Sequence, residues 1–244
     1  MHLTNAYYTA IITKKTHTSD IYGVYIMLRY FISAVVGYLL GSLSFAVIVS
    51  KAKFKKDIRN YGSNNAGMTN TARTFGKKAA AVVFLGDFIK PMIAALIALF
   101  LISGEVNPVG CAYIAGTAAV IGHIFPVFFG FKGGKGVASM FGVTTALSPI
   151  SVPILAVPFF VTLSASKMVS LSSIISAACV PVVTFVIYKF LPFLNPPLLR
   201  GDWKIPTVCT AIIAILVIFM HRSNIERIKK GEERKIGSKK KAEC

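Results

Sequence analysis

Apolar residues occur in long runs that are separated by short polar segments. The clearest runs cover residues 28–50, 79–103, 108–129, 168–191 and 205–220. A helix that crosses the hydrocarbon core of a bilayer needs about 20 predominantly apolar residues, and most of these runs are long enough. Backbone groups inside a bilayer must bond within their own segment, so each run is predicted to be a helix. The pattern predicts an all-α integral membrane protein.

A further apolar stretch, residues 137–163, is interrupted by Pro149, Pro153 and Pro158. Proline removes a helical hydrogen bond, so one straight helix would be poor. Counting one crossing here would also put the basic C-terminal tail outside, against the tendency of cations to stay in the cytoplasm. We interpret the stretch as two short crossings or a re-entrant hairpin. The prediction is about seven transmembrane helices, with the N-terminus outside and the C-terminus in the cytoplasm.

The two ends of the chain differ from the apolar middle. Residues 1–26 mix polar and basic residues and lack the apolar region and cleavage site of a signal peptide, whereas Met27 begins a typical membrane segment. We predict an N-terminal extension at 1–26 that need not be native. A polytopic membrane domain at 27–236 and a disordered basic tail at 237–244 complete the division.

The chain carries 27 Lys and Arg against 9 Asp and Glu, a formal net charge of +18. In a soluble protein this excess would suggest nucleic acid. Here the cations cluster at the ends of apolar runs, so membrane topology explains them and we predict no nucleic-acid partner. The four cysteines form no CxxC pair and the four histidines are dispersed. We therefore predict neither a disulfide framework nor a metal site.

A polar loop at residues 57–78, DIRNYGSNNAGMTNTARTFGKK, lies between the first two apolar runs. Its glycines let the backbone approach a ligand closely. Its amides, hydroxyls and cations are the groups that a phosphate or carboxylate requires. We predict a phosphate-handling loop at the inner membrane surface. The alternative is a solvated basic loop without a ligand.

A glycine loop at residues 131–136, FKGGKG, follows the third apolar run. Backbone N–H groups next to a helix start can bind an anion, although the spacing is not that of a Walker A motif. A basic turn is the alternative. Asp87 and Lys90 lie three residues apart within an apolar run, where charges indicate either function or a structural ion pair. His123, near the end of the third run, is interpreted as a hydrogen-bonded packing residue.

The last segment begins HRSNIERIKKGEE at residue 221. His221, Asn224 and Ile228 fall on one side at helical spacing. The unperturbed pKa of histidine, about 6.5, suits acid–base chemistry near neutral pH. The alternative is a basic helix that only fixes topology and contacts anionic lipid.

Taken together, these segments resemble the bacterial acyl-phosphate:glycerol-3-phosphate acyltransferases. Besides the segments quoted above, the matching sequences are GSLSF at 41–45, DFIK at 87–90, GHIFPVFF at 122–129 and SKMVSLSS at 166–173. Order and spacing agree from about Met27 to Glu233. The HxxxxD pattern of acyl-CoA-dependent acyltransferases is absent from the sequence.

The resemblance implies a seven-helix enzyme of the bacterial inner membrane with its active site on the cytoplasmic face. Such an enzyme transfers an acyl group from acyl phosphate to the sn-1 hydroxyl of glycerol 3-phosphate, giving lysophosphatidic acid and phosphate, the first step of phospholipid biosynthesis. It needs no cofactor, metal or acyl-CoA. Its expected partners are the two substrates, the lipid bilayer and a soluble acyl-phosphate synthase as a candidate.

The resemblance and the chemistry of phosphate binding together give a set of candidate site residues. The catalytic candidates are Ser63, Arg73, His221 and Asn224. The substrate-binding candidates are Asn65, Thr69, Asn70, Gly133, Gly134, Lys135, Gly136 and Ser170. Arg73 and Lys135 are assigned to phosphates, whereas His221 orients or deprotonates the glycerol hydroxyl. A substrate phosphate could be the base instead, and Glu233 matches a structural acid of the family.

The sequence departs from the family pattern at four positions: Asn64 and Pro91 replace glycines, Met68 replaces an alanine, and Lys167 replaces an arginine. Asparagine tolerates left-handed backbone, so Asn64 is expected to preserve the loop. The alternative function is a membrane transporter for an organic phosphate. That function would require an internal repeat and polar groups near the midplane, whereas the polar motifs gather at one membrane face.

Overall fold

The computed structural model describes residues 2–104 and 107–237, with side chains from Tyr22 onward, and within these ranges it is helical without strands. The helices are α1 His2–Gly41, α2 Phe45–Phe54, α3 Met68–Phe75, α4 Lys77–Ile97, α5 Pro108–Ile124, α6 Val137–Leu147, α7 Ser151–Ser166, α8 Val169–Phe190, α9 Lys204–Met220 and α10 Arg222–Lys229. A π-helical turn, Ala98–Ile102, extends α4.

Four described segments are long and apolar enough to cross a membrane. They are Tyr22–Phe54, Lys77–Ile102, Pro108–Phe129 and Val169–Phe190. A fifth is added if α9 and α10, which meet at a bend of 54°, form one span. The prediction of an all-α membrane protein is confirmed. Seven crossings and the orientation of the termini stay predictions.

Large apolar side chains point away from the protein interior along these segments. Leu101 is 75% exposed, and Val182 and Ile215 are exposed by 62% and 66%. The buried core lies between α5, α6, α8 and α9, with Tyr113 and Met140 among its largest members. Because an apolar solvent removes the cost of exposing such residues, this inside-and-outside apolar pattern is typical of a membrane protein.

The proline-rich stretch is divided as predicted. Helix α6 ends at Leu147 and α7 begins at Ser151. Ser148 Oγ lies 2.7 Å from Ser151 Oγ and 3.1 Å from Asn195 Oδ1, so the hydroxyls exposed by the break find polar partners. Pro158 lies inside α7 and does not end it.

The first apolar run differs from the prediction of one continuous helix. The chain leaves helical geometry at residues 42–44, between α1 and α2. Lys90 Nζ donates to the Leu43 carbonyl at 2.8 Å, which compensates for the interrupted helical bonding. Gly37 and Gly41 pack closely against α5, since a Cβ there would overlap the α5 backbone at Ala115 and Ala119.

The predicted segment boundaries fall at the two ends of the described chain. Helix α1 runs through Met27 without a break, and the proposed start at Met27 stays a prediction. The predicted tail at 237–244 lies outside the described residues, apart from Gly237.

Candidate active site

The polar loop folds around the side chain of Asn70, which is 1% exposed. Asn70 Oδ1 accepts from the Ser63 N–H at 2.9 Å, and Nδ2 donates to the carbonyls of Tyr61 at 2.8 Å and Asn65 at 3.1 Å. Gly62 has a φ of 63°, and a Cβ there would overlap Asn70 Oδ1. Because these bonds occupy the Asn70 amide, its role is to hold the loop in shape.

The outer surface of the polar loop carries several predicted site residues. Ser63, Thr69 and Arg73 are exposed, whereas Asn65 is partly buried. Asn64 has a φ of 55°, a left-handed conformation that asparagine tolerates better than most residues. The loop therefore presents a hydroxyl, amides and a cation to solvent on a fixed backbone.

The glycine loop packs against the end of α5. The Gly133 N–H donates to the Ile124 carbonyl and the Gly134 N–H to the His123 carbonyl, both at 3.1 Å. The expectation that these two N–H groups face an anion is therefore wrong. A Cβ on Gly134 would overlap the His123 ring, so tight packing explains this glycine. Gly136, with a φ of 84°, is the N-cap of α6.

The polar loop and the glycine loop are in contact. The Ala66 carbonyl oxygen lies 2.8 Å from the position that a Cβ of Gly134 would take. Ala66 itself is fully buried. The two segments that the sequence assigned separately to phosphate thus form one continuous surface.

A second network joins the glycine loop to α8 and the C-terminal segment; we call it the Glu233 cluster. Lys135 Nζ donates to Asn224 Oδ1, and Asn224 Nδ2 donates to Glu233 Oε1 at 2.7 Å. The Ser170 hydroxyl donates to the same oxygen at 2.7 Å, and Arg227 Nε donates to Glu233 Oε2 at 2.8 Å. Three predicted site residues (Lys135, Ser170 and Asn224) therefore meet around one carboxylate.

Positive charge exceeds negative charge in this region. Lys135 interacts electrostatically with Arg227, Glu233 and Arg73, and Arg73 interacts with Arg234. Burial, reinforced by Arg227 and Arg73, lowers the pKa of Lys135 to about 8. Burial alone would raise the pKa of Glu233, but the bonds from Ser170, Asn224 and Arg227 lower it overall. Four cations thus surround a single ionised carboxylate, which leaves charge for an anionic ligand.

His221 lies at the junction of α9 and α10 and is 4% exposed. Its Nδ1 is 2.7 Å from the Val217 carbonyl. A carbonyl only accepts, so Nδ1 carries the proton and Nε2 is the acceptor. Burial lowers the pKa of His221 to about 4, so the ring is neutral at pH 7. The expectation of titration near neutral pH is wrong, although a role in accepting a hydrogen bond stays a prediction.

Sequence reasoning missed two cations of the site. Arg227 lies one helical turn after Asn224 on α10, so the helical spacing could have revealed it. Arg234 lies in a segment without helical periodicity, which gives no such signal. Among the described residues, no group of three or more His, Cys, Asp or Glu side chains could hold a metal ion.

The fold and this site define a polytopic membrane protein with a cationic polar surface at one end of its helical bundle. The model of the glycerol-3-phosphate acyltransferase family matches residues 31–231. The chain belongs to this family, as the sequence motifs predicted.

Individual relatives agree with this assignment over most of their length. The chain is 46% identical over 203 residues to a glycerol-3-phosphate acyltransferase of Exiguobacterium sibiricum, covering 83% of this chain and 91% of the relative. It is 43% identical over 209 residues to that of Neisseria meningitidis, covering 84% and 96%.

Two solved structures share the fold. The crystal structure of PlsY (YgiH), an integral membrane glycerol 3-phosphate acyltransferase, matches in its glycerol 3-phosphate form with a TM-score of 0.68 and 35% identity. That match covers 85% of this chain and 96% of the other. The lysophosphatidic acid form gives a TM-score of 0.66 and 34% identity, with coverage of 85% and 95%.

Proposed function

We propose that the protein transfers an acyl group from acyl phosphate to the sn-1 hydroxyl of glycerol 3-phosphate. The products are 1-acyl-sn-glycerol 3-phosphate and inorganic phosphate, the first step of phospholipid biosynthesis. The excess of cations around Glu233 carries this proposal, together with the family membership. Both substrates bear phosphate groups, and Arg73 and Lys135 supply charge-assisted donors for them.

An acyl phosphate is an activated donor, because phosphate leaves readily once its negative charge is stabilised. The catalytic tasks are then to position the two substrates and to hold the charge that develops on the leaving group. We assign the charge stabilisation of the leaving phosphate to Arg73 and the binding of the phosphate of glycerol 3-phosphate to Lys135. We assign Ser63 and Asn65 to orienting a substrate, and this is supported by their position on a loop whose backbone Asn70 holds.

In the proposed reaction, the glycerol oxygen forms a bond to the acyl carbon while the bond from that carbon to the phosphate oxygen breaks. The proton of the hydroxyl leaves with the released phosphate. Nε2 of His221 accepts a hydrogen bond from the hydroxyl and orients it. Since the pKa of His221 is about 4, a substrate phosphate is the stronger base and is assigned the proton.

The remaining candidates support these groups. Asn224, bonded to Lys135 and Glu233, holds the lysine in place, and Ser170 contributes to the same carboxylate. Asn70 maintains the polar loop. Thr69 stays a candidate contact on the exposed side of α3. Gly133, Gly134 and Gly136 allow the glycine loop to pack closely against α5 and to start α6.

Our proposal for the cellular setting rests on the charge distribution. Basic residues of both loops and of the C-terminal segment gather at the site end, which supports a cytoplasmic active site on a bacterial inner membrane. We propose that the acyl chain of the donor lies in the lipid bilayer. A soluble acyl-phosphate synthase is the proposed partner at this basic face.

Product formation by the purified protein tests the proposal. Radiolabelled glycerol 3-phosphate is supplied with palmitoyl phosphate or palmitoyl-CoA, using wild type, Arg73→Ala and the control Arg222→Ala. Arg222 is an exposed cation that lies over the Phe219 ring at 4.8 Å, away from the Glu233 cluster contacts. We expect lysophosphatidic acid from palmitoyl phosphate alone, lost only in Arg73→Ala. Product from palmitoyl-CoA would contradict the donor assignment.

Absence of product with either donor would contradict the acyltransferase activity. Uptake of glycerol 3-phosphate into proteoliposomes would then become the measurement for the transporter alternative.

A further inference from the structure

Three ionisable side chains form a buried group between α4 and α5; we call it the Asp87 cluster. Lys90 Nζ lies 3.0 Å from Asp87 Oδ1 and 3.1 Å from His123 Nδ1, and His123 Nδ1 lies 3.3 Å from Asp87 Oδ1. Each of the three residues is at most 5% exposed. None of them touches the Glu233 cluster directly, so the proposed chemistry does not use them.

Stability alone is a poor explanation for this group. Charges inside a membrane segment are costly, and well-packed apolar residues often replace a buried ion pair without loss of stability. The cluster is also joined to its surroundings by directed bonds. Lys90 donates to the Leu43 carbonyl at 2.8 Å, and the Ser139 hydroxyl donates to the Asp87 carbonyl at 2.9 Å. The group therefore ties the α1–α2 break and α6 to α4.

His123 connects the cluster to the glycine loop. Its carbonyl accepts the Gly134 N–H at 3.1 Å, and its ring occupies the space that a Gly134 side chain would need. The neighbouring Ile124 carbonyl accepts the Gly133 N–H at 3.1 Å. Lys135 follows Gly134 directly, so the position of the His123 ring and backbone sets the starting point of the Lys135 side chain.

We propose that Asp87, Lys90 and His123 are positioning residues for Lys135. The ion pair fixes the His123 ring, His123 fixes Gly134, and the glycine loop then directs Lys135 toward Asn224 and the phosphate of glycerol 3-phosphate. This inference rests on the proposed function, because it assigns the cluster to the binding of one of the two proposed substrates.

The test separates positioning from stability by comparing the two substrates. Asp87→Asn is studied with the neutral pair Asp87→Asn/Lys90→Gln, which leaves no unpaired buried charge. In monodisperse protein, we expect the KM for glycerol 3-phosphate to rise roughly tenfold or more, as for a lost charged hydrogen bond. The KM for acyl phosphate is expected to stay within about twofold of the wild-type value, because sites that do not interact affect each other only slightly.

Tyr188→Phe is the matched control. It removes a buried hydrogen bond of 2.8 Å from the Tyr188 hydroxyl to the Leu147 carbonyl. That bond lies at the far end of the 11-residue helix α6, about 16 Å from its start. We expect this variant to lose stability while both KM values stay unchanged.

Gly134→Ala perturbs the contact between Gly134 and the His123 ring from the glycine loop, and it leaves Asp87 and Lys90 unchanged. It should raise the KM for glycerol 3-phosphate selectively, and it serves where the cluster variants do not fold. Unchanged KM values, or equal rises for both substrates in folded variants, would overturn the inference. An inactive wild-type enzyme would instead contradict the proposed function, so the two failures are distinguishable.

Discussion

The two ends of the helical bundle each contain a buried polar network, and the networks differ in charge. At the site end, Asn224 bonds to both Lys135 and Glu233, and Arg227 bonds to Glu233 directly. At the opposite end, a neutral network that we call the Tyr188 cluster lies at the α6–α7 break. It consists of Tyr113, Ser148, Ser151, Tyr188 and Asn195.

The neutral network bonds largely to itself and to helix-end carbonyls. The Tyr188 hydroxyl donates to the Leu147 carbonyl at 2.8 Å, and Ser148 bonds to Ser151 at 2.7 Å. The charged network cannot balance itself, because Glu233 faces a surplus of cations. Buried polarity alone therefore does not indicate a ligand site, whereas an unbalanced charge beside fixed loops does.

The substitution Lys135→Met is expected to give the largest difference between its effect on activity and its effect on stability. Loss of the cation that we assign to the phosphate of glycerol 3-phosphate should lower kcat/KM for that substrate about 10²–10³-fold, as for the loss of one partner of a buried charge pair. The melting temperature should stay unchanged or rise, because the substitution reduces repulsion with Arg73 and Arg227. Steady-state kinetics and thermal unfolding in detergent measure both effects. A variant that loses stability and activity in parallel would remove the distinction between the two ends.

His221→Phe tests the orienting role that we assign to Nε2. Removing this acceptor should lower kcat about 10²-fold, at the low end for groups that assist proton transfer. Because the pKa of His221 is about 4, its neutral form persists as the pH rises and protonation begins only in acid. The pH profile of the wild-type kcat should consequently have no inflection at pH 6–7 that arises from His221. An inflection that disappears in His221→Phe would contradict the neutral assignment.

The helical fold and the grouping of motifs could be predicted from sequence, because runs of apolar residues determine them. The apolar runs gave the helices and the interruption between α6 and α7 directly. The residue type at position 64 is also compatible with the left-handed backbone that the structure shows. The break at Ser42–Ser44 could not be predicted, since it depends on a bond from Lys90, which is distant in the sequence.

The details of the candidate site could not be predicted from the sequence either, because they also depend on contacts between distant residues. Gly133 and Gly134 were interpreted as anion-binding donors, but their N–H groups bond to α5 carbonyls across the fold. The titration of His221 was taken from its unperturbed value, whereas burial of the ring lowers its pKa even though the bond to the Val217 carbonyl raises it. Such effects arise only from tertiary packing, which periodicity does not encode.

Lys135 provides a pH-dependent test at the charged end. Its pKa of about 8 means that the ammonium is present below that pH and is lost above it. At one pH unit above its pKa only about a tenth of the side chain is charged, so the KM for glycerol 3-phosphate should rise roughly tenfold by pH 9. Lys135→Arg should flatten this dependence, because arginine stays protonated. A rise that persists in Lys135→Arg would assign the titration to another group.

The smallest effects on stability are expected at two asparagines with positive φ, one at each end of the bundle. Asn64 in the polar loop and Asn107 before α5 both have positive φ, at 55° and 29°. The Asn107 side chain accepts the Gly110 N–H at 3.0 Å, whereas the Asn64 side chain is exposed. Asn107→Ala should therefore lower the free energy of unfolding by about 1 kcal/mol through the lost cap. Asn64→Gly should leave it nearly unchanged, because glycine adopts left-handed backbone readily.

Activity then decides what Asn64 contributes beyond its conformation. If position 64 requires only left-handed backbone, Asn64→Gly should keep kcat/KM within about twofold, while Asn64→Val should be destabilised by about 1–2 kcal/mol. A larger loss of kcat/KM in folded Asn64→Gly would mean that the amide itself contacts a substrate. Asn64 would then differ from Asn107, because its side chain would contact a ligand while its backbone keeps the left-handed conformation.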